Sequence, residues 1–334
     1  MRKKLFLAAL CLFPAITGFS AEPDLWLTQK GDILFSENFS GGLNTGRWTV
    51  AKGEWKVENG VLTGKELASD HHAAAIRAEL PFENAILQFD FRLDGSKGFS
   101  LSVNEAKGHH SRVMIAPDGI SLQKDRDKKD ARSLSMPLGR QSCEFKPGVW
   151  YTVTVEYCGN DLLAHIGKET FVLGSHEQMG STKTTFGFPV AGETASFDNI
   201  TAWTATAKPD AAATKEKLLA AQAGRQSLPT DPRKAYAEKE TLLRDRLMKS
   251  DPAFNQLISD RIAMDNEMHK RWPKAFLKNE AAQTLHKKLL AEDEEFKAIN
   301  TRLIKARQAE LSYLLKQDPE LAVLRKAMTA PKPE

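Results

Sequence analysis

Cysteine is almost missing from this chain of 334 residues: there are three, and one of them, Cys11, falls in an N-terminal leader. That excludes a small disulfide-stapled scaffold. The remaining two are poorly placed to pair with each other. Lys146-Pro-Gly148 reads as a turn into a strand over 149–157, which sets Cys143 opposite a residue near Tyr151. Cys158 then lies further along that strand than the Cα separation of about 7 Å that a bridge tolerates. Long apolar runs are also missing after residue 20, so no later segment can cross a bilayer as a helix. Glycine, frequent up to residue 203, occurs once beyond it, at Gly224. There is no glycine-rich phosphate loop and no Ser-His-Asp context. The pairs His71-His72 and His109-His110 are sequence neighbours, whose side chains point apart on an extended chain, so no metal site is assigned.

What is there begins with an address. Arg2-Lys3-Lys4, an apolar run over 5–16 and small residues at Gly18 and Ser20 have the layout of a secretory signal peptide over residues 1–20. The mature protein is therefore expected to be exported, periplasmic or extracellular. Its charge is close to balanced, with 44 Lys and Arg against 43 Asp and Glu. The two halves differ in sign: residues 21–207 carry 19 cations and 24 anions, and residues 208–334 carry 25 and 19. Basicity this diffuse gives no case for nucleic acid. It leaves open an envelope surface or a protein partner for the second half.

The halves differ in pattern as well. From residue 31 to 205 the chain reads as short alternating strands separated by Gly and Asn/Asp turns. Gly53-Glu-Trp-Lys-Val-Glu-Asn-Gly-Val-Leu-Thr-Gly64 alternates about Asn59-Gly60, a strong hairpin dipeptide. The segments 84–93 and 98–104 read as two separate strands, as do 183–189 and 195–203. An Ala/Thr/Pro linker is expected over 206–213, followed by a helical region over 214–330. There Asp231-Pro232, Asp251-Pro252 and Asp318-Pro319 mark helix starts, the Asp as N-cap and the Pro at the first helical position. One long helix is expected over 293–316. The fold class is an all-β sandwich followed by a separate all-α helical domain.

Chemistry is sought on the non-core phase of the strands. Gln88, Asp90 and Arg92 alternate with apolar residues in one strand, Ser102 and Asn104 in the next, Arg112 in a third, and Thr152, Thr154 and Glu156 in a fourth. Were these strands neighbours facing one way, they would form one polar surface of carboxylates, guanidiniums, amides and hydroxyls, with Trp150 in phase to stack on a sugar ring. Such planar polar groups suit a glycan; an ordinary solvent-washed sheet face has the same alternation. Glycosidic cleavage uses two carboxyl groups, and Asp90 and Glu156 are the pair on that face. No cofactor motif is present, and a structural calcium stays open.

Asp32-Ile-Leu-Phe-Ser-Glu-Asn-Phe39, Gly53-x-Trp55-x-Val57-x-Asn59-Gly60-x-Leu62-x-Gly64, Phe89-Asp-Phe-Arg92, Pro147-Gly-Val-Trp150 and Phe197-Asp-Asn-Ile200 occur in that order. In this the chain resembles the concanavalin A-like jelly-roll superfamily, and within it the secreted 3-keto-disaccharide hydrolase domain, over residues 31–205. The resemblance implies a jelly roll of two curved antiparallel sheets, a sugar-binding concave face and, in some members, glycosidic cleavage. Asp94-Gly-Ser-Lys-Gly-Phe-Ser100 replaces the usual Asn-Ser-Gly stretch that leads to the active face. The leading expectation is an exported carbohydrate-binding protein with a helical tail for assembly or envelope attachment. The alternatives are a glycoside hydrolase acting on keto-sugar disaccharides or related glycans, with Asp90 and Glu156 catalytic, and a protein-binding adhesin.

Overall fold

The computed structural model of the chain describes residues 22–225 and 231–329. The leader therefore lies outside the described residues. Thirteen strands come first: β1 (Thr28–Glu37), β2 (Trp48–Lys52), β3 (Glu54–Glu58), β4 (Val61–Lys65), β5 (Ala74–Phe82), β6 (Ala85–Glu105), β7 (Gly108–Ala116), β8 (Gly119–Lys124), β9 (Met136–Ser142), β10 (Trp150–Cys158), β11 (Asp161–Ile166), β12 (Thr170–Ser175) and β13 (Lys183–Ala207). Six helices follow: α1 (Ala211–Ala223), α2 (Pro232–Ser250), α3 (Pro252–Arg271), α4 (Glu280–Glu292), α5 (Glu294–Gln317) and α6 (Pro319–Thr329).

The β3–β4 hairpin shows how local sequence sets local structure. Asn59 and Gly60 both take positive φ, 53° and 76°, the conformation a two-residue turn of matching twist requires. The Trp55 indole lies over Gly64, where a Cβ would come within 2.5 Å of the ring, and stacks on Phe197 at 6.3 Å. β9 escapes the alternation pattern, since Pro137 and Gly139 interrupt it; it is the last strand in its series, where a missing ladder donor costs least.

The decisive feature is that β6 and β13 are each one long strand. The first half of β6 pairs with β10 and with the second half of β13; its second half pairs with β7 and with the first half of β13. Both turn a corner. In β6 it falls near Gly95 (φ 91°) and Gly98 (φ 136°), and in β13 near Gly192 (φ 78°), where the register shifts. The sheet is thereby folded into two layers. The first runs β12–β11–β10–β6–β13, with β1 and β4–β3 along the far side of β13; the second runs β9–β8–β7–β6–β13–β5–β2. Phe89 and Phe197 from the first layer meet Phe99 and Phe188 from the second, with Phe188 and Phe197 stacked at 4.3 Å and Phe99 edge-on to Phe197 at 4.9 Å. This is a jelly-roll sandwich with an aromatic centre.

β13 runs to Ala207 and α1 begins at Ala211, so the connection is three residues long, shorter than a linker over 206–213. α1 lies on the sandwich, where the Gln222 amide exchanges hydrogen bonds with the Leu173 backbone at 2.7 and 2.8 Å. α2, α3 and α6 begin at the expected prolines. Asp231 accepts from the Arg233 and Lys234 N–H groups, Asp251 from those of Ala253 and Phe254, and Asp318 from that of Glu320. These helices build two cores of their own, one around Phe254, Leu247 and Leu314, the other around Met268, Phe296 and Leu303. Glu310, 3 % exposed, ties them together by pairing with Arg244 and Arg261.

Candidate functional site

The corner in β6 divides the expected polar surface in two. Phe89 and Phe99 face each other through the core, so the residues alternating with them point outward on opposite sides of the sandwich. Gln88, Asp90, Arg92, Trp150 and Glu156 lie on the outside of the first layer; Ser102, Asn104 and Arg112 lie on the outside of the second. The single composite site is not formed.

On the first layer most of the expected residues are engaged in structure. Glu156 is fully buried. Its carboxylate accepts from the backbone N–H groups of Trp26, Leu27 and Thr28, at 2.8, 2.9 and 2.7 Å, and from the Thr28 hydroxyl at 2.6 Å. It thus fastens the start of the chain across the sheet, where Trp26 stacks on His165 at 4.4 Å. Gln88 is 3 % exposed and donates to Thr154. Asp90 accepts from Thr152 at 2.5 Å and Asn199 at 2.8 Å. Asp90 pairs with Thr152 and Glu156 with Ile86, so the two carboxylates stand four residues apart along the ladder, about 13 Å. That exceeds the separations of about 5–9.5 Å used in glycosidic cleavage, and Glu156 has no open side. Of the expected catalytic pair, Glu156 is a buried structural anchor and Asp90 a half-buried, hydrogen-bonded aspartate. Trp150, 38 % exposed, has Arg92 over its ring at 4.9 Å, and Arg92 pairs with Asp94 at 2.8 Å. One face of the indole is already occupied.

The second layer presents a more coherent surface. Cross-strand register aligns Thr49 of β2, Arg77 of β5, Gly187 of β13, Ser102 of β6, Arg112 of β7 and Gln123 of β8 in one row. The next row holds Glu79, Thr185 and Asn104. Asn104 donates to the Thr185 hydroxyl at 2.9 Å and its carbonyl oxygen meets His109 Nδ1 at 2.7 Å. Arg112 and Gln123 both donate to Asp125, at 2.8 and 2.7 Å, which ties the Arg112 guanidinium to its neighbours on the sheet. Burial, with Arg112 and Arg77 nearby, lowers the His109 pKa, so the ring is neutral at pH 7. Ser102 is 5 % exposed and forms the floor beneath longer neighbours. Arg77 and Glu79 are exposed. Sequence reasoning passed over Arg77, Glu79, Thr185 and Gln123, although Arg77 and Glu79 alternate with Ile76, Ala78 and Leu80 in a legible period of two.

Among the described residues no cluster of three or more His, Cys, Asp or Glu side chains is arranged to hold a metal ion, and no helix is long and apolar enough to cross a membrane. Cys143 and Cys158 are half-buried free thiols whose pKa values burial pushes up.

Fold and surface together define a two-layer antiparallel sandwich with one extended polar outer face, followed in the chain by a helical region. No protein-family model and no curated protein matches the chain. Among solved structures it is similar to a carbohydrate-binding module, CBM66, from Bacillus subtilis, at 16 % identity and a TM-score of 0.39, over 47 % of this chain and 95 % of that one. It is also similar to SCLam, a non-specific endo-β-1,3(4)-glucanase of family GH16, at 9 % identity and a TM-score of 0.42, over 53 % and 95 %. A third is a LamA variant from Z. galactanivorans in complex with laminaritriose and laminaritetraose, at 9 % identity and a TM-score of 0.40, over 53 % and 100 %. Likenesses this loose leave function to be argued from this chain's own residues.

Proposed function

We propose that the protein is an exported glycan-binding protein whose binding face is the outer surface of the second layer. The row Arg77, Ser102, Arg112 and Gln123, continued by Asn104 and Thr185, carries this reading. Guanidinium, amide and hydroxyl groups on five adjacent strands supply donors and acceptors to a ligand rich in hydroxyls. The Arg112–Asp125–Gln123 network holds part of them in place beforehand, which reduces the ordering cost of binding. From Thr49 to Gln123 the row crosses five strand spacings, about 24 Å, which suits a chain of sugars better than a single ring.

Binding without cleavage is the reading that the carboxylates of this row favour. Cleavage of keto-disaccharides, which the resemblance to that hydrolase domain implies, needs two carboxyl groups within about 9.5 Å. Along the row itself, Glu79 on β5 and Asp125, the residue that follows β8, stand four strand spacings or about 19 Å apart. The helical tail, net basic, serves assembly or attachment at an anionic envelope surface.

The test is calorimetric titration of the full chain with a panel of soluble linear gluco-, xylo-, manno- and galacto-oligosaccharides, with products followed by mass spectrometry. Binding without turnover is expected. Arg77→Ala should weaken it about tenfold, the loss of one charged hydrogen bond, with an unchanged melting curve. A folded protein that binds none of the panel, or an Arg77→Ala variant that binds as tightly as the parent, refutes the assignment.

A further inference from the structure

The polar face of the second layer has one open and one closed end. At the β2 edge it runs out to solvent. At the β9 edge α2 lies across it: Lys234, Ala237, Glu238 and Thr241, spaced i, i+3, i+4 and i+7, form the side of the helix turned to the sheet. Between that side and β7–β9 is a cavity of about 420 Å³, within the range of about 300–1,000 Å³ typical of small-molecule sites. Its floor is apolar, with Met114, Ala116 and Pro137, and its walls are polar. Gln123 belongs both to the cavity wall and to the row of polar residues, so the cavity is the blind end of the same face.

Two charged side chains face each other across it, and one has a buried atom without a partner. The Nε of Arg140 is buried with no hydrogen-bond partner among the described residues, a costly condition for a donor on a cation. Glu238 stands on the opposite wall. Burial raises its pKa, and the Arg140 charge offsets this only in part. No ion pair joins the two, which leaves room for a group between them. The helix cannot swing clear without loss, since Tyr236, Leu243 and Leu247 on its other side are packed in the helical core.

Resting on the glycan-binding reading above, we infer that this cavity is a terminal subsite. It takes the end ring of a glycan laid along the row, and the protein recognises chain ends in preference to internal segments. A pyranose has apolar faces and a rim of hydroxyls. Its face fits over Met114 and Pro137, one rim hydroxyl accepts from the guanidinium of Arg140, and another donates to the Glu238 carboxylate. A chain continuing past that ring would run into α2.

The experiment takes the tightest-binding linear oligosaccharide of the panel and compares it with two derivatives, one carrying an aminobenzamide group at the reducing end and one a benzyl ether at the non-reducing end. One derivative should lose at least tenfold in affinity and the other should bind as the parent does. Glu238→Gln and Arg140→Gln should each weaken the parent about tenfold, with unchanged melting curves, and leave the blocked derivative unaffected. If both derivatives bind as tightly as the parent, or if neither substitution matters, the cleft is open-ended and the terminal subsite falls while glycan binding stands. If the folded chain binds no oligosaccharide at all, both fall.

Discussion

Replacing Glu156 by Gln separates the two roles open to that residue. A catalytic carboxylate can be converted to its amide with little effect on stability and complete loss of turnover. The structure predicts the reverse. Oε2 of Glu156 accepts three hydrogen bonds and Oε1 a fourth, all donated by residues 26–28. Glutamine can keep its oxygen where three donors converge, but its NH2 group then faces the Trp26 N–H. That donor is left unsatisfied, at a cost of about 1–3 kcal/mol. The three surviving bonds lose their charge assistance, and together they weaken by a further ~2 kcal/mol or more. A total of about 3–5 kcal/mol corresponds to a fall in melting temperature of roughly 6–20 °C in a domain of this size. The chain start, residues 22–28, should also become open to proteolysis at temperatures where the parent resists, because Glu156 is its main tether. Differential scanning calorimetry and timed digestion with N-terminal sequencing measure both. A melting temperature within about 2 °C of the parent would refute the reasoning.

Other expectations follow from single residues. Lys183 has no solvent exposure, donates to the carbonyls of Glu83 and Met179, and has its pKa pushed down by burial to about 8. Between pH 8 and the ordinary lysine range near 10.5 the unfolded chain holds more protons than the folded one. Stability should therefore rise with pH across that window, by up to about 3 kcal/mol, and the burial penalty is fully present below pH 8. Urea titrations should show this rise in the parent and its absence in Lys183→Met. Asp251→Ala removes the cap of α3 and the acceptor of the Tyr313 hydroxyl at 2.6 Å. The Tyr313 bond, then the backbone bonds, hold the Asp251 carboxyl below its usual range, so its contribution is present at neutral pH and lost as the carboxylate protonates in acid. The variant should melt lower than the parent at pH 7 and converge on it in strong acid. Gly64→Ala places a methyl group within 2.5 Å of the Trp55 ring, which should drive the indole off Phe197, shift its fluorescence to the red and destabilise the sandwich by about 1–3 kcal/mol.

What the sequence determined by itself was everything that depends on neighbours along the chain. The Asn59-Gly60 turn, the three Asp-Pro helix starts and the change from a period of two to helical spacing all act over a few residues, and each stands where the pattern put it. The phase of the strands was legible for the same reason: Leu87, Phe89, Phe91, Phe99, Leu101 and Val103 are all buried in the core. Which outward residues share a surface was decided only by the tertiary structure. Alternation shows that Asp90 and Ser102 both point away from the core, and a corner of two glycines in β6 sends them to opposite sides of the molecule. Likewise nothing local to Glu156 shows that residues 26–28, nearly 130 positions earlier, will cover it. The row from Arg77 to Gln123 and the cavity beneath α2 are made by strands and a helix distant in sequence. A polar side chain's phase is fixed by the backbone two residues either side; its partners are fixed by how the sheet folds over its own core.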